Sequence, residues 1–168
     1  MSFPAPLTAK AMELIAICRA HHLKLASAES CTGGLVAAVI TSIAGASDVY
    51  ESGFVTYSNH AKTEFLGVHG SLITDYGAVS EDVARTMAEG AIKVTKADIA
   101  LAVTGIAGPG GGSEEKPVGL VHIAAARRGF PMLHKKLLLG DLGREEIRLR
   151  SVAEVLTLGL AQAGVGAP

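Results

Sequence analysis

The stretch KLASAESCTGGLVAAVITSI, residues 24–43, predicts a strand, a tight turn and a helix in immediate succession. Lys24 to Glu29 has the length and composition of a short strand, and Leu35 to Ile43 is an apolar segment of helical length. Ser30 and Thr32, which lie between them, are good helix-starting residues because a hydroxyl can accept a hydrogen bond from a free backbone N–H group. This succession is typical of an α/β domain.

Further strands follow where β-branched and apolar residues cluster. They are predicted at Gly53–Ser58, at Asp98–Thr104 and, as an antiparallel hairpin around Arg128-Gly129-Phe130-Pro131, at Leu120–Ala126 and Met132–Leu139. The segment at Asp98–Thr104 is nearly all apolar, which indicates a strand that is covered on both faces.

Helices are predicted between these strands from apolar residues at helical spacing. They cover Thr8–His21, Lys62–Leu66, a segment that begins at an N-cap Ser80 and buries Val83, Met87, Ala91 and Val94, and Arg144–Ala161 with Leu149, Val152, Leu156 and Leu160 facing inward. The alternation predicts an α/β fold, a three-layer α/β/α sandwich with a mixed, mainly parallel sheet.

Length and charge narrow the class of protein. A chain of 168 residues suits one domain, which we assign to residues 1–168. With 15 basic and 16 acidic residues, it lacks the positive excess that draws proteins to nucleic acid. Apolar runs fall short of the ~18 residues that a membrane helix needs, and the first residues lack a signal-peptide pattern. Two cysteines, Cys18 and Cys31, are expected to be reduced thiols, so we expect a cytoplasmic protein.

Three polar or glycine-rich segments follow predicted strands. They are residues 28–34 (AESCTGG), 56–59 (TYSN) and 104–109 (TGIAGP). In open α/β sheets, ligands bind beyond the carboxyl ends of the strands. We therefore expect these three segments to converge on one pocket.

Ser30 is a candidate nucleophile in the first segment. It lies where a helix begins, so nearby backbone N–H groups could stabilise an oxyanion, and Gly33 and Gly34 would let a substrate approach the backbone. Ser30 or Thr32 could instead serve only as a helix cap.

A nucleophilic serine needs a base, and no Ser-His-Asp arrangement is evident. Lys62 follows the second segment, and desolvation could lower its pKa enough to provide a neutral amine. By itself, Lys62 could equally be an ordinary surface lysine. The histidines show no metal-ligand spacing, so we expect neither a metal nor an organic cofactor.

The glycine-rich loop from Gly105 to Gly119 could bind a phosphate through its N–H groups, or could be a flexible surface loop. It matches neither the P-loop spacing nor a dinucleotide-binding fingerprint. Arg144 and Arg148 lie one helical turn apart and could bind a phosphate or simply be solvated.

Four motifs together resemble the CinA C-terminal family. They are AESCTGG (28–34), GFVTYSNHAK (53–62), GAVSEDVA (77–84) and TGIAGPGGGSEEKPVG (104–119). The resemblance implies a three-layer α/β/α domain and a nicotinamide-nucleotide amidohydrolase of pyridine-nucleotide salvage, which converts nicotinamide mononucleotide to nicotinic acid mononucleotide and ammonia.

The resemblance also implies roles for individual residues. Ser30 would be the nucleophile and Lys62 its base, while Tyr57 would assist proton transfer or hold Lys62, and Thr104 would orient the nucleophile or substrate. The residues expected to line the oxyanion and substrate sites are Thr32, Gly33, Gly34, Asn59, Gly105 and Arg144.

Two alternatives stay open at this stage. The nucleophile could be Cys31, with its thiolate stabilised at a helix N-terminus. The chain could also be a non-catalytic nucleotide-binding or regulatory module that uses the same glycine loops. The expected partner is a small-molecule nucleotide rather than nucleic acid or membrane, and a homo-oligomer is allowed.

Overall fold

The computed structural model describes residues 2–165, which form a five-stranded sheet between two layers of helices. The strands are β1 (Leu25–Glu29), β2 (Tyr50–Val55), β3 (Ile99–Gly105), β4 (Leu120–Arg127) and β5 (Phe130–Leu138). Their order across the sheet is β2-β1-β3-β4-β5. β2, β1 and β3 are parallel, and β4 is antiparallel to both of its neighbours, so four of the five strands run in one direction. The predicted mixed, mainly parallel sheet is confirmed.

The helices are α1 (Ala5–Ala20), α2 (Leu35–Thr41), α3 (Asn59–Leu66), α4 (Gly70–Tyr76), α5 (Glu81–Val94) and α6 (Arg144–Gly164). The helices α1, α2 and α6 pack on one face of the sheet, and α3, α4 and α5 lie on the other face. This is the predicted three-layer sandwich. None of the helices within residues 2–165 is long and apolar enough to cross a bilayer.

The two faces of the sheet differ in the size of their side chains. The face toward α6 carries Leu25, Ile99, Leu101, Val103 and Ile123, whereas the face toward α5 carries Ala26, Ala28, Ala100, Ala102, Ala124 and Ala126. Alanine methyl groups keep α5 close to the sheet. The same face carries Thr104 near the end of β3 and Ser30 just past the end of β1, because alternate residues of a strand share a face.

Two element boundaries differ from the prediction near this edge. The second strand is Tyr50–Val55, not Gly53–Ser58, because residues 56–58 leave the sheet and Ser58 caps α3 by accepting a hydrogen bond from Ala61 N. The helix α2 begins only at Leu35, after Gly34 with a φ of 97°, so neither Ser30 nor Thr32 is its N-cap residue.

The structure also tests the predicted helix cap, the buried positions and the hairpin turn. Ser80 caps α5 as predicted, since its hydroxyl accepts from Val83 N. Val94 is 56% exposed, so its place in the buried stripe was wrong. The helix α4 was not predicted, and it has no buried residue that could have produced a pattern. The hairpin turns at residues 128–129, so Phe130 and Pro131 belong to β5.

Gly90 sets the distance between α5 and α3. A Cβ atom at this position would lie 2.0 Å from the backbone oxygen of Leu66, at the end of α3, so the two helices meet without room for a methyl group. The position of α3 relative to the sheet therefore depends on glycine at residue 90.

We predict that Gly90→Ala lowers the free energy of unfolding by about 3 kcal/mol, because a backbone clash must be relieved by moving a helix. Gly70→Ala is the matched control, since its Cβ would meet no atom within 4 Å. That change should be neutral or stabilise α4 by up to about 1 kcal/mol. Denaturant unfolding of both variants measures the difference, and equal effects would contradict this account of the α3–α5 contact.

Candidate active site

The three segments predicted to converge do meet beside the ends of β1, β2 and β3. They surround a cavity of about 270 Å³. Its lining includes Ser30 and Cys31 from the first segment, Tyr57 and Asn59 from the second, residues 104–108 from the third, and also Lys62, Ala78, Val79, Gly110, Gly111 and Arg144.

The centre of this cavity is a serine–lysine pair. The Nζ atom of Lys62 lies 2.9 Å from the Oγ atom of Ser30, 2.8 Å from the carbonyl oxygen of Thr56 and 3.4 Å from that of Tyr57. The Lys62 side chain reaches Ser30 because α3 starts directly after Ser58 and places Lys62 in its first turn. Two residues that are 32 positions apart in sequence are thereby brought within hydrogen-bond distance.

Lys62 is buried without a counter-charge. Its residue is only 1% exposed, and no carboxylate of residues 2–165 forms an ion pair with it. All three of its hydrogen-bond partners are uncharged. Burial disfavours the ammonium form and lowers the pKa of Lys62. The lysine is therefore suited to supply a neutral amine next to a hydroxyl.

The loop that carries Ser30 is held by the buried carboxylate of Glu29. This carboxylate accepts hydrogen bonds from Thr32 Oγ1 at 2.7 Å and from the backbone N–H groups of Gly34, Val36 and Ala37 at 2.9 to 3.0 Å. Glu29 thus satisfies N–H groups at the start of α2, a task that the sequence assigned to Ser30 or Thr32. The hydroxyl of Ser30 is left free to face Lys62.

Sequence reasoning missed Glu29 as part of the site. The available signal was a carboxylate at the end of an otherwise apolar strand, immediately before the polar turn. Such a residue is rarely fully buried unless its oxygens are hydrogen-bonded, and Glu29 is 0% exposed.

Arg148 fastens the same loop from the other side. Its Nε atom donates to the carbonyl oxygen of Cys31 at 3.2 Å and its Nη2 atom donates to that of Thr32 at 2.8 Å. Arg148, which the sequence allowed either to bind a phosphate or to be solvated, is therefore engaged with the backbone of the turn after β1. The carbonyls of Cys31 and Thr32 share peptide planes with the N–H groups of Thr32 and Gly33, so the orientation of these two N–H groups is fixed as well.

The backbone N–H groups of the loop divide into engaged and free ones. Gly33 N donates to the carbonyl oxygen of Ser30, and Gly34 N donates to Glu29. Within the described chain, the N–H groups of Cys31 and Thr32 donate to no other residue. Because Cys31 lines the cavity and Thr32 does not, the Cys31 amide, rather than those of the glycines, is placed to stabilise negative charge there.

Cys31 lies beside Ser30 but lacks the environment of a reactive thiol. It is buried, and burial raises the pKa of its thiol to about 12. A thiol with such a pKa is almost entirely protonated at neutral pH, whereas a nucleophilic cysteine needs a thiolate. The microenvironment therefore favours Ser30 over Cys31.

Tyr57 and Arg144 form the outer rim of the cavity. Arg144 donates through Nη2 to the Tyr57 hydroxyl and through Nη1 to the carbonyl oxygen of Gly108, both at 2.8 Å. The Tyr57 ring is largely exposed, and it is the backbone carbonyl of Tyr57, not its hydroxyl, that contacts Lys62. Arg144 thus joins the second and third segments at the mouth of the cavity.

Thr104 faces the cavity but donates its hydroxyl hydrogen to the carbonyl oxygen of Ala78 at 2.8 Å. A hydroxyl has one hydrogen and two lone pairs, so its oxygen can still accept a hydrogen bond from a ligand. The adjacent Gly105 is required by close packing, since a Cβ there would lie 2.6 Å from a methyl group of Val121.

A pair of histidines lies beyond Thr104 on the same face of the sheet. His122 is the cross-strand neighbour of Thr104, and its Nδ1 atom lies 3.0 Å from Nε2 of His134. Burial, helped by the neighbouring His134, lowers the pKa of His122 to about 4, so this pair is neutral near pH 7. No group of three or more His, Cys, Asp or Glu residues within residues 2–165 is arranged to hold a metal ion.

Comparison with known proteins places this arrangement in a family. The family model described as CinA C-terminal domain matches residues 7–162. The chain belongs to the CinA C-terminal domain family. Its fold superposes on the crystal structure of the competence/damage inducible protein CihA from Agrobacterium tumefaciens with a TM-score of 0.94 and 48% identity, covering 96% of this chain and 98% of that one.

Two curated members of the family differ in length. The chain is 49% identical over 139 residues to the nicotinamide-nucleotide amidohydrolase PncC of Escherichia coli, covering 82% of this chain and 83% of that protein. It is 61% identical over 107 residues to a CinA-like protein of Akkermansia muciniphila, covering 64% of this chain but 26% of that protein. The chain spans about a quarter to a third of the first curated relatives that it matches.

The residues implied by the resemblance to the CinA C-terminal family fall into two groups. Seven line the cavity, namely Ser30, Lys62, Tyr57, Asn59, Thr104, Gly105 and Arg144. The other three, Thr32, Gly33 and Gly34, do not line it and instead shape the turn between β1 and α2. Asn59 is the first residue of α3, so it lies one helical turn from Lys62.

The buried amine of Lys62 should make stability depend on pH. The pKa of Lys62 is lowered in the folded state, whereas in the unfolded chain it is about 10.4. Between these two values the unfolded state binds the additional proton, so the wild-type protein gains stability as pH rises toward ~10.4. Lys62→Met removes this contribution.

We predict that the unfolding free energy of wild type minus that of Lys62→Met rises from pH 7 toward pH ~10, by at most about 1.4 kcal/mol per pH unit. Lys96→Met, which removes an exposed ammonium, is the control. Denaturant titrations at several pH values measure the trend. A difference that is constant with pH would mean that Lys62 stays charged in the folded protein.

Proposed function

We propose that this chain hydrolyses the carboxamide of nicotinamide mononucleotide to nicotinic acid mononucleotide and ammonia, with Ser30 as nucleophile and Lys62 as base. The observation that carries the proposal is the 2.9 Å contact between Ser30 Oγ and a buried Lys62 Nζ that lacks a counter-charge. The name of the E. coli relative, nicotinamide-nucleotide amidohydrolase, supports the choice of substrate.

The surroundings of Lys62 suit the neutral amine that a base requires. A neutral amine has two N–H donors and one lone pair. Its two donors match the carbonyl oxygens of Thr56 and Tyr57, which can only accept, and its lone pair matches the Ser30 hydroxyl, which can donate. Deprotonation therefore leaves no polar group of this cluster without a partner.

The reaction follows from these roles. Lys62 takes the proton of the Ser30 hydroxyl as the oxygen attacks the carboxamide carbon. The N–H group of Cys31, which lines the cavity, stabilises the oxyanion, a task for which Glu29 and Arg148 hold the loop in place. Lys62 then gives this proton to the carboxamide nitrogen, which leaves as ammonia when the C–N bond breaks. Water next attacks the acyl-enzyme, Lys62 passes a proton from that water to the Ser30 oxygen, and nicotinic acid mononucleotide is released.

The remaining cavity residues are proposed to bind the nucleotide. Arg144 lies at the mouth, where one guanidinium edge is engaged with the protein and its charge suits an anionic phosphate. Asn59, Gly105 and the accepting oxygen of Thr104 are within the cavity wall and suit the carboxamide and ribose. Tyr57 holds Arg144 through its hydroxyl. Thr32, Gly33 and Gly34 contribute through the shape of the nucleophile loop.

The reaction should proceed without a metal or organic cofactor, since the proposed steps use only Ser30, Lys62 and backbone N–H groups. The proposed partner is a small-molecule nucleotide. The cytoplasmic location and the absence of nucleic-acid binding remain predictions of the sequence, which allows a homo-oligomer without setting the oligomeric state.

Ammonia release from nicotinamide mononucleotide tests the proposal. We expect turnover by the wild-type protein, a fall of at least about three orders of magnitude in kcat for Ser30→Ala, and retention of most activity by Cys31→Ala. Both substitutions remove one small polar group from the same loop, so each is the structural control for the other.

Two results would contradict the proposal in different ways. An active Ser30→Ala variant with an inactive Cys31→Ala variant would move the nucleophile to the thiol. Binding of the mononucleotide by wild type without ammonia release would identify a nucleotide-binding or regulatory module.

A further inference from the structure

The segment between α4 and α5 forms one wall of the candidate active site. Residues 77–80 are not helical, and Ala78 and Val79 line the cavity opposite the glycine-rich loop. A wall without regular secondary structure lacks the backbone hydrogen bonds that fix strands and helices. Its backbone is held at Gly77 N, which donates to Ile73 O at 2.8 Å, and otherwise largely by side chains.

Four consecutive carbonyl oxygens, from the last residue of α4 into this wall (residues 76–79), accept hydrogen bonds from side chains. Gly77 O accepts from Ser80 Oγ at 2.9 Å, and Ala78 O accepts from Thr104 at 2.8 Å. The carbonyl oxygens of Tyr76 and Val79 both accept from the Nζ atom of Lys116, the latter at 2.9 Å. Lys116 thus contacts the wall at both of its ends.

Lys116 belongs to the glycine-rich loop, which forms the facing wall of the cavity. This loop runs from the end of β3 to the start of β4, and Gly105, Gly108, Gly110 and Gly111 from it line the cavity. Glycine-rich backbone is conformationally free unless it is tied down. The loop is folded around Lys116 itself, because Ser113 N donates to the Lys116 carbonyl at 2.8 Å and Lys116 N donates to Ser113 Oγ at 3.0 Å.

The fit between Lys116 and the wall depends on Gly77. This residue has a φ of 79°, and a Cβ atom there would lie 2.6 Å from the Nζ atom of Lys116. Glycine therefore provides both the backbone conformation and the space that the lysine head group occupies. The missing side chain of Gly77 therefore leaves the space that the Lys116 head group fills.

We propose that Lys116 is a positioning residue that latches the glycine-rich loop to the wall at 76–79, and that substrate affinity depends on this latch. The inference rests on the proposed amidase function for its kinetic readout. Lys116 is not among the residues that line the cavity, and Ser30 and Lys62 are held by other contacts. Loss of the latch should therefore loosen the pocket and leave the chemical step intact.

Steady-state kinetics with nicotinamide mononucleotide test the kinetic half of the proposal. Lys116→Met should raise KM about tenfold, with kcat within about threefold of wild type and an unchanged pH–rate profile. Lys116→Arg should restore much of the affinity, because a guanidinium also offers several donors to the two carbonyl oxygens. Lys96→Met, at an exposed lysine, should leave both parameters unchanged.

Hydrogen exchange of the unliganded protein tests the latch without any substrate. In Lys116→Met, amides of residues 105–119 and of residues 76–80 should both exchange faster than in wild type and in Lys96→Met. Unchanged exchange in either segment would overturn the latch. A fall in kcat at constant KM would also overturn it, since that would place Lys116 in the chemical step. Absence of amidase activity in wild type would defeat the proposed function, whereas the exchange result would still decide the latch.

Discussion

A lysine amine buried against a serine hydroxyl, with no carboxylate of residues 2–165 paired with it, is the constraint on which this site depends. The position of α3 places Lys62 there. Ser58 caps the N-terminus of α3, and Gly90 lets α3 approach α5. As a result, the Lys62 amine lies 2.9 Å from the Ser30 hydroxyl. Desolvation then lowers the pKa of Lys62, because an isolated ammonium is costly to bury. The protein accepts a cost in stability at this point in return for a reactive pair, as active sites commonly do.

The charged groups around Ser30 are kept apart from this amine. Glu29 is buried and directly precedes Ser30 in the sequence, but its carboxylate oxygens accept hydrogen bonds from Thr32 and from the first N–H groups of α2. Arg148 directs its donors to carbonyl oxygens of the same loop. The Glu29 and Arg148 side chains therefore hold the backbone of the turn, and neither forms an ion pair with Lys62. The turn after β1 therefore presents the Ser30 hydroxyl to Lys62 while Glu29 and Arg148 hold its backbone.

Local patterns were sufficient for much of the fold. The apolar segment at β3 and the cap at Ser80 are encoded by neighbouring residues, and both were predicted. The start of α2 was not, because its N–H groups are satisfied by Glu29 from the preceding strand rather than by a local hydroxyl. The roles of Glu29 and Lys116 depend on contacts that no periodicity describes. Motif resemblance indicated Ser30 and Lys62, but only the three-dimensional arrangement shows that Lys62 is buried without a counter-charge.

The protonation state of Lys62 tests the central claim most directly. In protein labelled with ¹⁵N at lysine side chains, the Nζ resonance that disappears in Lys62→Met can be followed by NMR as pH is varied. The account predicts that this nitrogen titrates at a pH clearly below the ~10.4 of free lysine, so that a neutral amine is populated near the working pH. An Nζ atom that stays an ammonium up to pH ~10.4 would contradict the account, since Lys62 could then position the substrate but could not serve as the base.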